Sequence, residues 1–113
     1  MKLEPHLHQN IKILTLSGRF DARAAPIAQK QFQAATAASP AQVVVNLEKV
    51  DFVDSTGLST LVQALNHARQ LNGDVRLCGL QQPVRIIFEL TRLDKVFDIF
   101  PTEEDAVQAF MDG

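Results

Sequence analysis

Hydrophobic positions along this chain change period several times, and each change marks an element. Ile11-Lys12-Ile13-Leu14-Thr15-Leu16-Ser17 alternates loosely and ends at Gly18, which predicts a strand followed by a turn. His6-Leu7-His8 reads as an earlier edge strand or arm. Asp21 is placed to cap a first helix running to about Ala38, with Pro26 in its opening turn. Ile27, Phe32 and Ala35 are its expected core contacts, and Ser39-Pro40 stops it. Val43 to Leu47 is apolar on both faces, as a central parallel strand should be.

A helical period returns from about Thr56 to Leu71, where Asn72-Gly73 is suited to a left-handed stop. Leu58, Leu61, Val62 and Leu65 form its inward stripe, flanked by Ala64 and Ala68. Val75 to Cys78 predicts the next strand, and Pro83 opens a third helix to about Leu90 with Val84, Ile87 and Phe88 inward. A loop over Leu93–Val96 leads to a short strand around Phe97–Phe100. Thr102-Glu103-Glu104-Asp105 then starts a last, acid-rich helix with Ala106, Ala109 and Phe110 packing inward. Strands separated by helices imply an α/β fold, with about four helices packed on a mixed sheet of about four to five strands. The 113 residues fit one domain without repeats or linkers.

Composition narrows the function classes. A net charge of −2 without a basic cluster argues against direct nucleic-acid binding. No apolar run approaches the roughly 18–20 residues of a membrane span, and the N-terminus lacks a signal-peptide pattern. The lone Cys78 cannot form an internal disulfide, so it reads as a buried thiol in a cytoplasmic protein.

The residues that carry most chemical information are Asp54-Ser55-Thr56-Gly57-Leu58, at the predicted step from strand to second helix. Side-chain oxygens there can cap the helix, because its first backbone N–H groups lack intrahelical partners. The same unpaired donors and the helix dipole favour a phosphate, so Ser55 is both a candidate cap and a candidate phosphoacceptor. Further along, Ser59, Gln63, Asn66, His67 and Gln70 line one helix face without an Asp, Glu or Lys. Such a face is an ordinary polar surface or a docking face, since interface cores are depleted in charge. Enzyme readings fare worse. Asp51 and Asp54 lack an accompanying phosphate loop or ligand cluster, and Ser55 lacks the Gly of a nucleophile elbow two residues before it. His6 and His8 could share a strand face, but no further metal ligand is nearby in sequence. A two-component receiver domain would need an acidic phosphoacceptor at a strand end, and Asn46 weakens that reading.

Asp54-Ser55-Thr56-Gly57-Leu58 resembles the signature of STAS domains of the bacterial anti-sigma factor antagonist family. Gly18-Arg19-Phe20-Asp21 resembles a second family element, with Phe20 in an aliphatic place. The resemblance covers nearly the whole chain. It implies a phosphorylation-switched binding module with Ser55 as phosphoacceptor, no cofactor and no catalytic residues of its own. The implied partners are an anti-sigma factor that is also a serine kinase of the GHKL type, and a PP2C-like phosphatase. Capture of the anti-sigma factor would free a sigma factor and regulate transcription indirectly. The expected contact residues are Asp21, Asp54, Thr56, Gly57, Ser59, Gln63, Asn66 and His67. Asn46 stands where many relatives carry Asp, which is expected to remove a charge beside the site. The alternative is an accessory subunit of a membrane lipid-transport ATPase system, with the polar helix face docked on the ATPase.

Overall fold

A hairpin and three crossovers build the sheet. In the computed structural model, which describes residues 1–112, β1 (Lys2–His8) and β2 (Ile11–Phe20) pair antiparallel. Gln9, at φ 56°, makes the tight turn between them. β3 (Gln42–Val53), β4 (Asp74–Cys78) and β5 (Ile99–Phe100) then add in parallel, giving the order β1-β2-β3-β4-β5. Parallel neighbours need long connections, and α1 (Ala25–Ala35), α2 (Ser55–Gln70) and α3 (Gln82–Leu90) provide them. A short 3₁₀ turn, Leu93–Lys95, leads into β5, and α4 (Glu103–Asp112) closes the chain. The expected mixed sheet with about four helices is therefore present.

Side-chain alternation divides the sheet into two packed faces. Leu14, Leu16, Val43, Val45, Leu47, Val75 and Leu77 meet Phe32 of α1, Leu61 and Leu65 of α2, and Val84 and Phe88 of α3. Ile11, Ile13, Val44 and Cys78 face the other way, where Ala106 and Val107 of α4 cover them. The Cys78 thiol is pushed up to about 12, first by burial and then by the carboxylates of Glu103 and Glu48. It stays a protonated, structural thiol.

Several local expectations change. Ile27 is half exposed, because the buried face of α1 runs through Ala25, Ala28, Phe32 and Ala35, one step out of phase with it. That helix ends at Ala35 rather than Ala38, where the Thr36 N–H and hydroxyl both donate to Phe32 O. Asp21 caps the turn before α1 instead of the helix: its Oδ1 accepts from the N–H groups of Arg23 and Ala24 at 3.0 and 3.2 Å. Ala24, the N-cap of α1, makes no side-chain cap. In α3, Val84 and Phe88 are buried while Ile87 is half-buried. Phe97 precedes β5, and its buried ring meets Phe88 edge-on at 6.0 Å. Ala109 and Phe110 are half-buried, and Val107 takes the deeper place. The largest change is β3, which continues six residues past Leu47 to Val53.

Candidate functional site

The extension of β3 determines where the site forms. Phe20 at the end of β2 pairs with Val53 at the end of β3, so the turns that follow both strands lie side by side. Asp54 links them. Its N–H donates to Phe20 O at 3.2 Å, and its backbone stays extended at φ −100° and ψ −177°. Extended geometry at the residue before a helix is what an N-cap requires, and Asp54 Oδ1 accepts from Gly57 N–H at 2.9 Å. Asp54 Oδ2 accepts from Ala22 N–H at 3.2 Å, reaching the turn after β2.

The cap is therefore Asp54, and Ser55 is already the first helical residue rather than the cap. The helix starts one residue earlier than the apolar pattern suggests. Ser55 and Thr56 are both exposed, so the capping bonds are made beside the Ser55 hydroxyl without engaging it. Gly57 is buried under the strand end. A Cβ there would lie 2.4 Å from Phe20 O and 3.1 Å from the Phe20 ring and Val53, so no larger residue fits without displacement. Half-buried Asp21 adjoins this group, with Oδ2 3.9 Å from Arg19 Nε; the Arg19 guanidinium lies 3.8 Å over the Phe52 ring.

The fold thus brings Asp21, Asp54, Ser55, Thr56 and Gly57 to one end of the sheet. Ser59, Gln63, Asn66 and His67 continue from it along α2, all exposed. Gln63 and His67 also edge a cleft of about 240 Å³ between α1 and α2, opposite Gln29 and Gln33. Sequence reasoning missed those two glutamines, although they too are uncharged at helical spacing. It also missed Ala22, whose contribution is a backbone N–H and leaves no side-chain signal.

Asn46 does not belong to this site, contrary to expectation. It lies mid-strand, eight residues before Asp54, which is roughly 25 Å of extended chain. Its side chain is buried on the α4 face, donating to Glu103 Oε1 at 3.1 Å and accepting from Glu48 N–H at 2.9 Å. His67 sits twelve residues into α2 from Ser55, roughly 18 Å away along the axis. Among the described residues no group of three or more His, Cys, Asp or Glu is placed to hold a metal. His6 instead lies 3.7 Å from Glu103.

Residues 2–106 match the STAS domain family. The chain belongs to the STAS domain family. An anti-sigma F factor antagonist from Paenibacillus polymyxa is 24% identical to it over 108 residues, covering 95% of this chain and 92% of the relative. The crystal structure of an anti-sigma factor antagonist from Mycobacterium paratuberculosis is 29% identical, with a TM-score of 0.86 over 96% of this chain and 92% of that one. The antagonist SpoIIAA shares the fold in its unphosphorylated form (TM-score 0.82, 21% identity, 99% and 98% coverage). It shares it in its phosphorylated form as well (TM-score 0.75, 19% identity, 96% and 99% coverage). In this STAS domain, no helix among the described residues is long and apolar enough to cross a membrane.

Proposed function

We propose that this protein is an anti-sigma factor antagonist whose binding surface is switched by phosphorylation of Ser55. The observation that carries the reading is the division of labour at the start of α2. Asp54 holds the helix end, so the exposed Ser55 hydroxyl is free to react without unravelling it. The relatives named anti-sigma factor antagonists, and SpoIIAA solved in both phosphorylation states, support the same assignment.

In the unphosphorylated state Asp21, Asp54, Thr56 and Gly57 form one end of the docking surface. Ser59, Gln63, Asn66 and His67 form its charge-poor continuation, which costs less desolvation on burial than a charged face would. The partner is an anti-sigma factor that is also a GHKL-type serine kinase, and it holds the ATP. Ser55 Oγ attacks the γ-phosphorus, the bond to the ADP oxygen breaks, and the hydroxyl proton leaves to a base of the kinase. The product carries about −1.5 to −2 additional charges next to the Asp54 carboxylate. Burying that charge against a partner built for the neutral hydroxyl is costly, so the complex separates. A PP2C-like phosphatase restores the hydroxyl by hydrolysis. The protein acts as a cytoplasmic binding module and catalyses nothing itself.

Peptide mass spectrometry after incubation with the cognate kinase and ATP tests the assignment. The reading expects one added phosphate on Ser55 and none on Ser55→Ala. Phosphate confined to Thr56 or Ser59 overturns it.

A further inference from the structure

One carboxylate joins Ser55 to a turn that is 32 residues away in sequence. Asp54 Oδ1 holds the helix through Gly57 N–H at 2.9 Å, while Oδ2 holds the β2–α1 turn through Ala22 N–H at 3.2 Å. The bond to the turn is the longer one, and its donor is exposed. The other bonds made by this turn are local. Asp21 Oδ1 takes the N–H groups of Arg23 and Ala24, and Asp21 O takes those of Ala24 and Ala25. Across the fold the turn's hydrogen bond runs from Ala22 to Asp54 at the β3–α2 junction, while Ala24 at its far end is anchored by burial in the core, so the part free to move is Asp21–Arg23.

We infer that Asp54 is a positioning residue that relays the state of Ser55 to the Asp21–Arg23 turn. Phosphate on Ser55 weakens the Oδ2 bond to Ala22 and releases that turn. The inference rests on the reading of Ser55 as phosphoacceptor, and two effects act in the same direction. A phosphate dianion on the adjacent residue repels the carboxylate. It also draws on the amide donors of Ser55 and Thr56, which have no intrahelical acceptors, and so pulls the local donor field away from Asp54.

The strand ends stay together throughout. Asp54 N–H remains on Phe20 O, and Gly57 remains packed beneath the same carbonyl. Movement is confined to the turn that carries Asp21. Phosphorylation then changes the docking surface in two places at once, adding charge at Ser55 and displacing Asp21.

The test is performed on the isolated protein by NMR, with phosphoserine introduced at position 55 during translation. On phosphorylation the Ala22 amide proton should lose its hydrogen-bonded, downfield position and exchange about two- to fivefold faster, as expected for losing a bond that water replaces at an exposed turn. The Gly57 amide should keep its own shift and protection. Asp54→Asn should reproduce the Ala22 change without phosphate. Its amide oxygen still caps the helix, but its NH₂ group cannot accept from Ala22. An Ala22 amide unchanged by phosphoserine overturns the relay, as does equal loosening of Ala22 and Gly57, which would mean simple fraying. No partner protein enters the measurement. Failure of the antagonist reading in binding assays therefore leaves the relay standing, and failure of the relay leaves that reading intact.

Discussion

Separating the cap from the phosphoacceptor makes a sharp prediction about two adjacent side chains. Asp54→Ala removes the acceptor for Gly57 N–H and the acceptor for Ala22 N–H together. Loss of an N-cap costs about 0.5–2 kcal/mol. The Ala22 bond also ends on the carboxylate, but it lies at an exposed turn where water replaces it, so it adds only about 0.5–1 kcal/mol. The sum is about 1–3 kcal/mol. With an unfolding entropy of about 2.1 cal/mol/K per residue over 113 residues, each kcal/mol lowers Tm by about 4 °C. Asp54→Ala should therefore melt about 4–12 °C below the parent. Ser55→Ala removes an exposed hydroxyl outside the capping bonds, so its stability should stay within about 0.5 kcal/mol, or about 2 °C. Calorimetry on the two variants and the parent is the assay. Equal destabilisation by both would show that Ser55 shares the cap and would refute the division of labour.

Other changes probe other parts of the account. Gly57→Ala gains about 1 kcal/mol of helix propensity but drives a Cβ to 2.4 Å from Phe20 O at an overpacking cost of about 1–3 kcal/mol, so chemical denaturation should show a net loss of up to about 2 kcal/mol. Gln63→Glu should leave stability within about 0.5 kcal/mol yet weaken capture of the cognate anti-sigma factor in a binding assay; unchanged affinity removes this face from the interface. Cys78 titrates at about 12 in the folded chain and near 9.0 when exposed, so unfolding releases a proton between those values. Stability should fall as pH rises through that window, and the fall should be shallower in Cys78→Ala.

Element order was legible because hydrophobic period responds to local geometry. The alternation in β2, the two-sided apolar run of β3 and the stripe of α2 each survive in the fold. The length of β3 was not legible. Beyond Asn46 the strand has no β4 partner and pairs with β2 alone, so Glu48, Lys49 and Asp51 are tolerated at exposed positions and break the apolar signal. That one misjudged boundary displaced two others. It set Asn46 at a strand end beside the site, and it left three cap-capable residues, Asp54, Ser55 and Thr56, with nothing to choose among them. Only the extended backbone carried through Val53 to Asp54 selects the carboxylate. The contact with Ala22 depends on the parallel register of β2 and β3, which no local pattern encodes. Ile27 was misplaced for a simpler reason: in an alanine-rich helix, small residues can take the buried stripe and leave a large one outside.

The central claim is that a phosphate on Ser55 turns the docking surface off. Isothermal titration of the cognate anti-sigma factor with the hydroxyl form and with protein carrying phosphoserine at position 55 tests it most directly. The account predicts binding by the hydroxyl form and by Ser55→Ala. It predicts a loss of at least about tenfold for the phosphoserine form, the equivalent of 1.4 kcal/mol. Equal affinity of the two well-folded forms would contradict it.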